Sequence, residues 1–314
     1  MARLFVAVLL SCLAGCATLS RPEYGTGLLP PVPERAELVD VPFHPQDQYQ
    51  CGPAALATVL ASVGVARSPE QLENEVYLPQ RQGSLQPEML GAARRAGVLP
   101  YRLEALPNAL LREVAAGHPV VVLQNLRLEF LPQWHYAVVV GYDLTEGSIV
   151  LRSGRERRLV MRIEDFDRSW VKAERWAFVA LPPDRLPATA READFVAAAA
   201  ALERVSPANA RRAYQTALTA WPRNLFARIA MGNVAYHLGE LDAAQAEYRQ
   251  ATADHPDAAD AWNNLAQVLY EIGKPQEARD AAMRAVAIGG PRLEIYESTL
   301  ATIRTRAVPA QTSQ

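Results

Sequence analysis

Apolar residues recur at helical spacing early in the region 38–183 and at strand spacing in its later part. Leu56, Val59, Leu60 and Val63 lie three or four positions apart, which predicts a helix. Similar patterns, with proline near the start or glycine at the end, predict helices at 68–77, 86–97 and 106–117. Short runs rich in valine and isoleucine predict strands at 119–126, 135–144, 148–154, 158–163 and 175–181. Helices followed by strands predict an α+β domain with an antiparallel sheet.

Beyond a proline-containing segment that ends near residue 193, the pattern becomes alanine-rich and wholly helical, and it repeats. Ala210, Ala244 and Ala278 are 34 residues apart, and Tyr214 and Tyr248 keep the same period. A 34-residue helix–turn–helix period is typical of tetratricopeptide repeats. We expect an all-α domain over 191–306, with repeats at 191–224, 225–258 and 259–292 and a capping helix. A plain helical bundle is the alternative, and residues 307–314 are predicted to be a disordered tail.

Composition supports two domains of ordinary size, because half of the 314 residues are hydrophobic and each domain can bury a core. The formal net charge of −2 gives no electrostatic indication of nucleic-acid binding, so no nucleic acid is expected as a partner.

The N-terminus carries a basic residue, Arg3, and then an apolar run over 4–13. This run is shorter than the ~20 apolar residues that span a bilayer and is typical of a secretory signal. "LAGC", ending at Cys16, resembles the lipobox of bacterial lipoproteins, which implies a signal peptide over 1–15 and lipidation of Cys16. Ordinary secretion with cleavage nearby is the alternative.

Ala17 stands where the inner-membrane retention signal of lipoproteins has aspartate, which implies an outer-membrane protein facing the periplasm. Residues 16–37 are rich in proline and glycine and are predicted to form a flexible tether. The membrane is then expected as a partner only through the lipid anchor.

The chain has three cysteines, of which Cys12 leaves with the signal peptide and Cys16 carries lipid. Cys51 remains as a free thiol, so neither a disulfide within the mature chain nor a zinc site of several cysteines is possible. Motifs for metals and nucleotides are absent from the sequence, and no cofactor is expected.

Cys51 lies at the predicted start of a helix, where free N–H groups and a partial positive charge favour the thiolate. The pattern therefore predicts a lowered thiol pKa, as a cysteine nucleophile requires. His135 opens a predicted strand after a loop, from which its side chain could reach across a cleft. A lone histidine is more often a structural residue.

"QDQYQCGPAALATVL", residues 46–60, together with "HYAVVVGYD", residues 135–143, resembles the papain-like double-glycine leader peptidases, which trim bacteriocin precursors. The resemblance covers about 41–181 and includes "EDFDRSW", residues 164–170. It implies a papain-like cysteine peptidase domain over 38–183.

The resemblance also implies roles for individual residues. Cys51 would be the nucleophile, and His135 the general base and later the general acid. Gln46 would donate to the oxyanion beside the Cys51 backbone N–H, with Gln48 and Gln50 also near. The family usually has aspartate as a third member, on the strand that follows the histidine strand.

That aspartate is where this chain departs from the family pattern. Ser153 stands in its place, and Asp143 at the exit of the histidine strand is another candidate. Taken together, the sequence predicts a lipid-anchored periplasmic cysteine peptidase whose repeats recruit a peptide or protein partner. Two alternatives stay open: a catalytically degenerate envelope scaffold, and a transpeptidase or amide transferase that uses the same thiol.

Overall fold

The computed structural model describes residues 32–45 and 50–306, and it confirms the predicted α+β class followed by helical repeats. The first part contains β1 (Arg35–Glu37), α1 (Cys51–Ser62), α2 (Pro69–Val76), β2 (Tyr77–Leu78), β3 (Gly83–Ser84), α3 (Gln86–Arg95), β4 (Leu99–Arg102), α4 (Pro107–Ala115), β5 (Val120–Asn125), β6 (Trp134–Asp143), β7 (Ser148–Ser153), β8 (Glu156–Arg162), α5 (Ile163–Val171) and β9 (Ala177–Leu181).

Several predictions concern residues outside the described ranges. The signal peptide, Cys16, most of the tether, Gln46 and the tail from residue 307 all belong to this group. These stay predictions.

The sheet is antiparallel and has the strand order β4–β9–β5–β6–β7–β8. The seventh strand, β1, pairs with the far end of β6, where Arg35 lies opposite Asp143. A β-bulge between Val139 and Gly141 shifts the register of β6 against β7. The long β6 therefore pairs with β1 at its far end and with β5 and β7 in the centre of the sheet. Its first residues line a cleft.

Helices cover both faces of this sheet, because neighbouring residues of a strand point to opposite sides. Tyr136 and Val138 belong to a core with α1, α2 and α3, whereas Ala137 and Val139 belong to a core with α4 and α5. Both faces of the central strands are thus buried, which explains the continuous apolar run of β5.

The short α2 shows how local sequence fixes the helix ends. The Ser68 hydroxyl accepts a hydrogen bond from the Gln71 backbone N–H, and the Gln71 side chain accepts one from the Ser68 N–H. This reciprocal capping box is the one that the sequence predicts.

The second part of the chain is a run of seven helices: α6 (Glu192–Ala200), α7 (Pro207–Ala220), α8 (Leu225–His237), α9 (Leu241–Asp254), α10 (Ala259–Glu271), α11 (Pro275–Ile288) and α12 (Leu293–Arg306). Gly232 of α8 lies against the ring of Tyr248 in α9, where a Cβ atom would approach a ring carbon to 2.4 Å. This close approach explains glycine at that repeat position.

The two parts of the chain share one core. Phe195 and Ala199 of α6 belong to the same buried cluster as Leu99 and Tyr101 of β4. Within the described residues, no helix is both long enough and apolar enough to cross a membrane.

Candidate active site

A cleft of about 950 Å³ lies where α1 and β6 both begin, and it brings Cys51 and His135 into one lining. Most of the remaining lining comes from three segments: the hairpin of β2 and β3, the loop between β5 and β6, and the turn between α5 and β9. Its lining is Cys51, Arg81, Gln82, Gly83, Ser84, Leu85, Gln86, Leu123, Arg127, Leu131, Pro132, Gln133, Trp134, His135, Tyr136, Gly154, Lys172, Ala173 and Glu174.

Cys51 is the first residue of α1, so its sulfur lies at the helix N-terminus as the sequence predicts. Backbone N–H groups of Tyr136, Gly52 and Cys51 itself lie within hydrogen-bonding reach of the sulfur. The Tyr136 N–H comes from β6, which places the thiol directly beside the residue that follows His135. These donors are the kind that stabilise negative charge on sulfur or on an oxyanion.

The predicted lowering of the thiol pKa is wrong for this arrangement. Burial raises the pKa of the Cys51 thiol above its ordinary value, and the three backbone N–H groups offset that effect only in part. The helix N-terminus therefore does not compensate for the loss of water, and the resting sulfur is a neutral thiol.

His135 lies near the start of β6 with its side chain partly buried. Its Nε2 lies 2.8 Å from the Ser153 Oγ, within hydrogen-bond distance. That contact leaves Nδ1 as the ring nitrogen available to a thiol. Burial lowers the pKa of His135 to about 4, so the imidazole is neutral at pH 7 and able to accept a proton.

Ser153 reaches His135 from the end of β7, the strand next to β6 in the sheet. The other candidate for the third position, Asp143, lies at the opposite end of β6. Its carboxylate accepts hydrogen bonds of 3.0 Å from the backbone N–H groups of Thr145 and Glu146. Asp143 therefore stabilises the turn between β6 and β7 and does not meet His135.

The predicted oxyanion donor, Gln46, and the neighbouring Gln48 lie outside the described residues. Gln50, the third glutamine considered, immediately precedes the helix, and its amide Nε2 donates to the Glu73 carboxylate at 3.1 Å. The Gln50 side chain is thus engaged with α2.

Two segments that the sequence analysis did not connect with the site line much of the cleft. The first is the hairpin of β2 and β3, whose Ser84 packs on Gly52 so closely that a Cβ on Gly52 would lie 2.3 Å from the Ser84 Oγ. Glycine after the cysteine therefore lets the hairpin approach the helix start. The glycine next to Cys51 indicates that another segment approaches closely at this point, but the sequence does not show that this segment is the hairpin with Ser84.

The second segment is the loop 126–133 between β5 and β6, which is held by the buried Asn125. The Asn125 Oδ1 accepts hydrogen bonds from the backbone N–H groups of Arg127 (3.1 Å) and Gln133 (3.0 Å). Lys172 Nζ donates to the Arg127 carbonyl at 2.9 Å. Phe130, at 83% exposure, projects from this braced loop into solvent.

Over 32–45 and 50–306, no group of three or more histidine, cysteine, aspartate or glutamate residues is arranged to hold a metal ion.

Comparison with known protein families agrees with this architecture. Residues 38–177 match the Peptidase_C39 like family, and residues 229–292 match the Tetratricopeptide repeat family. No curated protein matches the chain.

Similar solved structures fall into the same two groups. A putative C39-like peptidase from Bacillus anthracis is 19% identical and covers 48% of this chain and 98% of its own, with a TM-score of 0.40. The Yersinia enterocolitica type III secretion chaperone SycD, in complex with a peptide of the translocator YopD, is 15% identical and covers 36% and 92%, with a TM-score of 0.34. The first TPR of Spaghetti (RPAP3), bound to an HSP90 peptide, is 15% identical and covers 37% and 92%, also with a TM-score of 0.34.

The cleft at the start of α1 and β6 lies within the residues that match the first family, and the helices α9 to α11 lie within those that match the second. The chain therefore combines a region similar to the Peptidase_C39 like family with a region similar to the Tetratricopeptide repeat family.

Proposed function

We propose that this protein is a cysteine peptidase that cleaves peptide bonds with Cys51 and His135. The observation that carries the proposal is the shared cleft, where the first residue of α1 and the start of β6 meet around the Tyr136 N–H. The match of residues 38–177 to the Peptidase_C39 like family also supports a peptidase-like domain.

The reaction would start from a neutral pair. His135 Nδ1 takes the proton of the Cys51 thiol as the sulfur attacks the substrate carbonyl carbon, and the carbonyl oxygen becomes an oxyanion. The Cys51 backbone N–H, with Gln46 as a second donor, stabilises that oxyanion. The protonated imidazole then gives its proton to the leaving amine as the C–N bond breaks. Water, deprotonated by His135, hydrolyses the thioester and restores the thiol.

Ser153 would act on His135 rather than on the substrate. In the tautomer with Nε2 protonated, the imidazole donates to the Ser153 Oγ and Nδ1 is the proton acceptor, and Ser153 holds the ring in place. A hydroxyl stabilises an imidazolium less than a carboxylate does, so the His135 pKa is not raised by its partner.

The proposal includes a lipid anchor on Cys16 in the cell envelope, supported by the "LAGC" sequence at 13–16. The repeats would recruit a peptide substrate or a protein partner, which is the usual use of the extended concave surface of stacked helical repeats. A further cleft, of about 650 Å³, lies between α6 and α8 and is lined by Val196, Phe226 and Asn233 among others.

The test of peptidase activity uses a peptide library and three proteins: the wild type, Cys51→Ala and His135→Ala. Mass spectrometry should show cleavage by the wild type and none by either variant. Cleavage that persists in Cys51→Ala would rule out the thiol as the nucleophile.

The test of anchoring is independent of activity. Cells grown with a labelled fatty acid should incorporate label into the wild type and not into Cys16→Ser, and only the wild type should fractionate with the outer membrane. Equal labelling of the two proteins would contradict lipidation of Cys16.

A catalytically degenerate scaffold is the second candidate, and it is favoured by the serine at position 153 and by the neutral thiol. It predicts no cleavage of any peptide by the wild type, together with unchanged partner binding in Cys51→Ala.

A further inference from the structure

Among the described residues that line the cleft with the thiol, three carry a cationic side chain and one, Glu174, carries a carboxylate. Arg81 comes from the segment between β2 and β3, Arg127 from the loop between β5 and β6, and Lys172 from the turn that follows α5. The chain as a whole has a formal net charge of −2, so this positive lining is a local feature of the cleft.

Several other arginines of the described ranges form ion pairs with carboxylates. Arg67, Arg158, Arg211 and Arg249, for example, each pair with a glutamate. Neither Arg81 nor Arg127 has a carboxylate within ion-pair distance in the described part of the chain.

Two of the three cations are held in place. The Lys172 Nζ donates to the Arg127 carbonyl at 2.9 Å, and an ammonium group with three donors keeps two for another acceptor. The Arg127 backbone N–H donates to the buried Asn125 side chain. The Arg127 backbone and the Lys172 ammonium are therefore fixed relative to each other, which reduces the entropy lost on binding.

We propose that the cleft selects peptide segments that carry acidic residues beside the scissile bond, held by Arg81, Arg127 and Lys172. This inference rests on the proposed peptidase function and names the substrate class of that same site. Arginine suits the role because its guanidinium binds a carboxylate through two parallel hydrogen bonds. A positive lining favours a ligand of opposite charge and disfavours a basic one.

The experiment measures binding first, so that it does not depend on turnover. Three peptides of equal length share an uncharged centre and differ only in flanking residues, which are glutamate, glutamine or lysine. Fluorescence anisotropy with the full-length Cys51→Ala protein gives a dissociation constant for each. The glutamate peptide should bind tightest, and its advantage should shrink as salt rises from 50 to 500 mM through screening.

Variants then assign the preference to residues. Arg81→Gln and Arg127→Gln are each made in the Cys51→Ala protein. Each should raise the dissociation constant of the glutamate peptide by about 2- to 5-fold and leave that of the glutamine peptide unchanged. Combined Arg81→Glu and Arg127→Glu should reverse the order in favour of the lysine peptide. Arg284→Gln, an exposed arginine of α11 away from the cleft, is the matched control and should change nothing.

The outcomes separate the two proposals. Charge-selective binding without cleavage by the wild type would refute the proposed peptidase function but would still support selection of acidic peptides by the cleft. Equal binding of the three peptides would overturn the cationic selection even if the wild type cleaves them. Arg81- and Arg127-dependent binding to phosphatidylglycerol vesicles, with no preference among the peptides, would also overturn it and assign these charges to a membrane surface.

Discussion

Ser153 is the residue at which this cleft departs most clearly from a carboxylate-assisted Cys–His pair. Its hydroxyl lies 2.8 Å from His135 Nε2. A hydroxyl can hold the imidazole ring in place, but unlike a carboxylate it adds no charge that stabilises the imidazolium. The choice of residue 153 should therefore control the pH at which His135 gains its proton.

Changing Ser153 should move the pH dependence of peptidase activity. Ser153→Ala removes the partner of Nε2 and should lower kcat/KM about 5-fold, since a neutral hydrogen bond contributes about 1 kcal/mol. Ser153→Asp should raise the His135 pKa from about 4, so that the acid limb of kcat/KM moves to higher pH. The control is Ser148→Ala at the other end of β7. Identical profiles for wild type and Ser153→Asp would refute the orienting role.

The Cys51 thiol should react slowly with alkylating reagents at neutral pH. Because burial raises its pKa, little thiolate exists at pH 7, and the rate should climb about tenfold per pH unit up to pH 9. The measurement is iodoacetamide labelling followed by mass spectrometry of the Cys51 peptide, with Cys51→Ala as the blank. His135→Ala should leave the profile nearly unchanged, because a neutral imidazole adds no charge. Fast labelling at pH 6 would instead indicate a thiolate–imidazolium pair.

At the scale of elements, the start of α1 depends on its contact with the β2–β3 hairpin. Gly52 carries no side chain, and Ser84 occupies the space that a Cβ would need. The hairpin in turn supplies lining residues of the cleft, including Arg81. A substitution at Gly52 should therefore affect stability and the site together.

Gly52→Ala should destabilise the protein by about 1–3 kcal/mol, because the new methyl group overlaps the Ser84 Oγ and Cβ positions. Urea denaturation measures the loss. The double variant Gly52→Ala with Ser84→Gly removes both overlapping atoms and should recover most of it. If the single variant is as stable as the wild type, the hairpin moves freely and the packing argument fails.

The same elements show what the sequence could and could not predict. The five strands that run from residue 120 to residue 181 and the paired repeat helices have strong periodic patterns, and the structure contains them. β2 and β3 have two residues each, too few for any alternation, so the hairpin beside Gly52 was missed. Within the site, the resemblance pointed to His135 and Ser153, which the structure places in contact. The sign of the thiol pKa shift was mispredicted, because burial depends on packing that no local pattern contains.

At the scale of the whole molecule, the peptidase-like domain and the repeats are joined through a buried carboxylate. Glu113 of α4 is fully buried, and its Oε2 lies 2.7 Å from His118 Nδ1. It also accepts hydrogen bonds from the backbone N–H groups of Ala188 and Thr189, at 3.1 and 2.7 Å, in the segment that leads into α6. With the shared core around Phe195, this contact fixes the repeats against the sheet.

Glu113→Ala should therefore weaken the coupling between the two parts as well as the total stability. The variant leaves two partly buried N–H groups, the Thr189 hydroxyl and His118 without their acceptor, which should cost about 3 kcal/mol. Urea unfolding can be followed in single-tryptophan proteins that retain either Trp176 in the sheet domain or Trp262 in the repeats. The two transitions should coincide in the wild-type background and separate in Glu113→Ala.

The matched control is Glu104→Gln, which removes an exposed carboxylate that pairs with Arg191 beside the same linker. An exposed pair contributes less than about 1 kcal/mol, so this variant should keep coincident transitions. Under the proposed function, substrate recruited by the repeats would reach Cys51 from a defined direction, so loss of the Glu113 contact should also reduce cleavage of repeat-bound substrates more than cleavage of short peptides. Coincident transitions in Glu113→Ala would show instead that the shared core around Phe195 couples the two parts without the buried carboxylate.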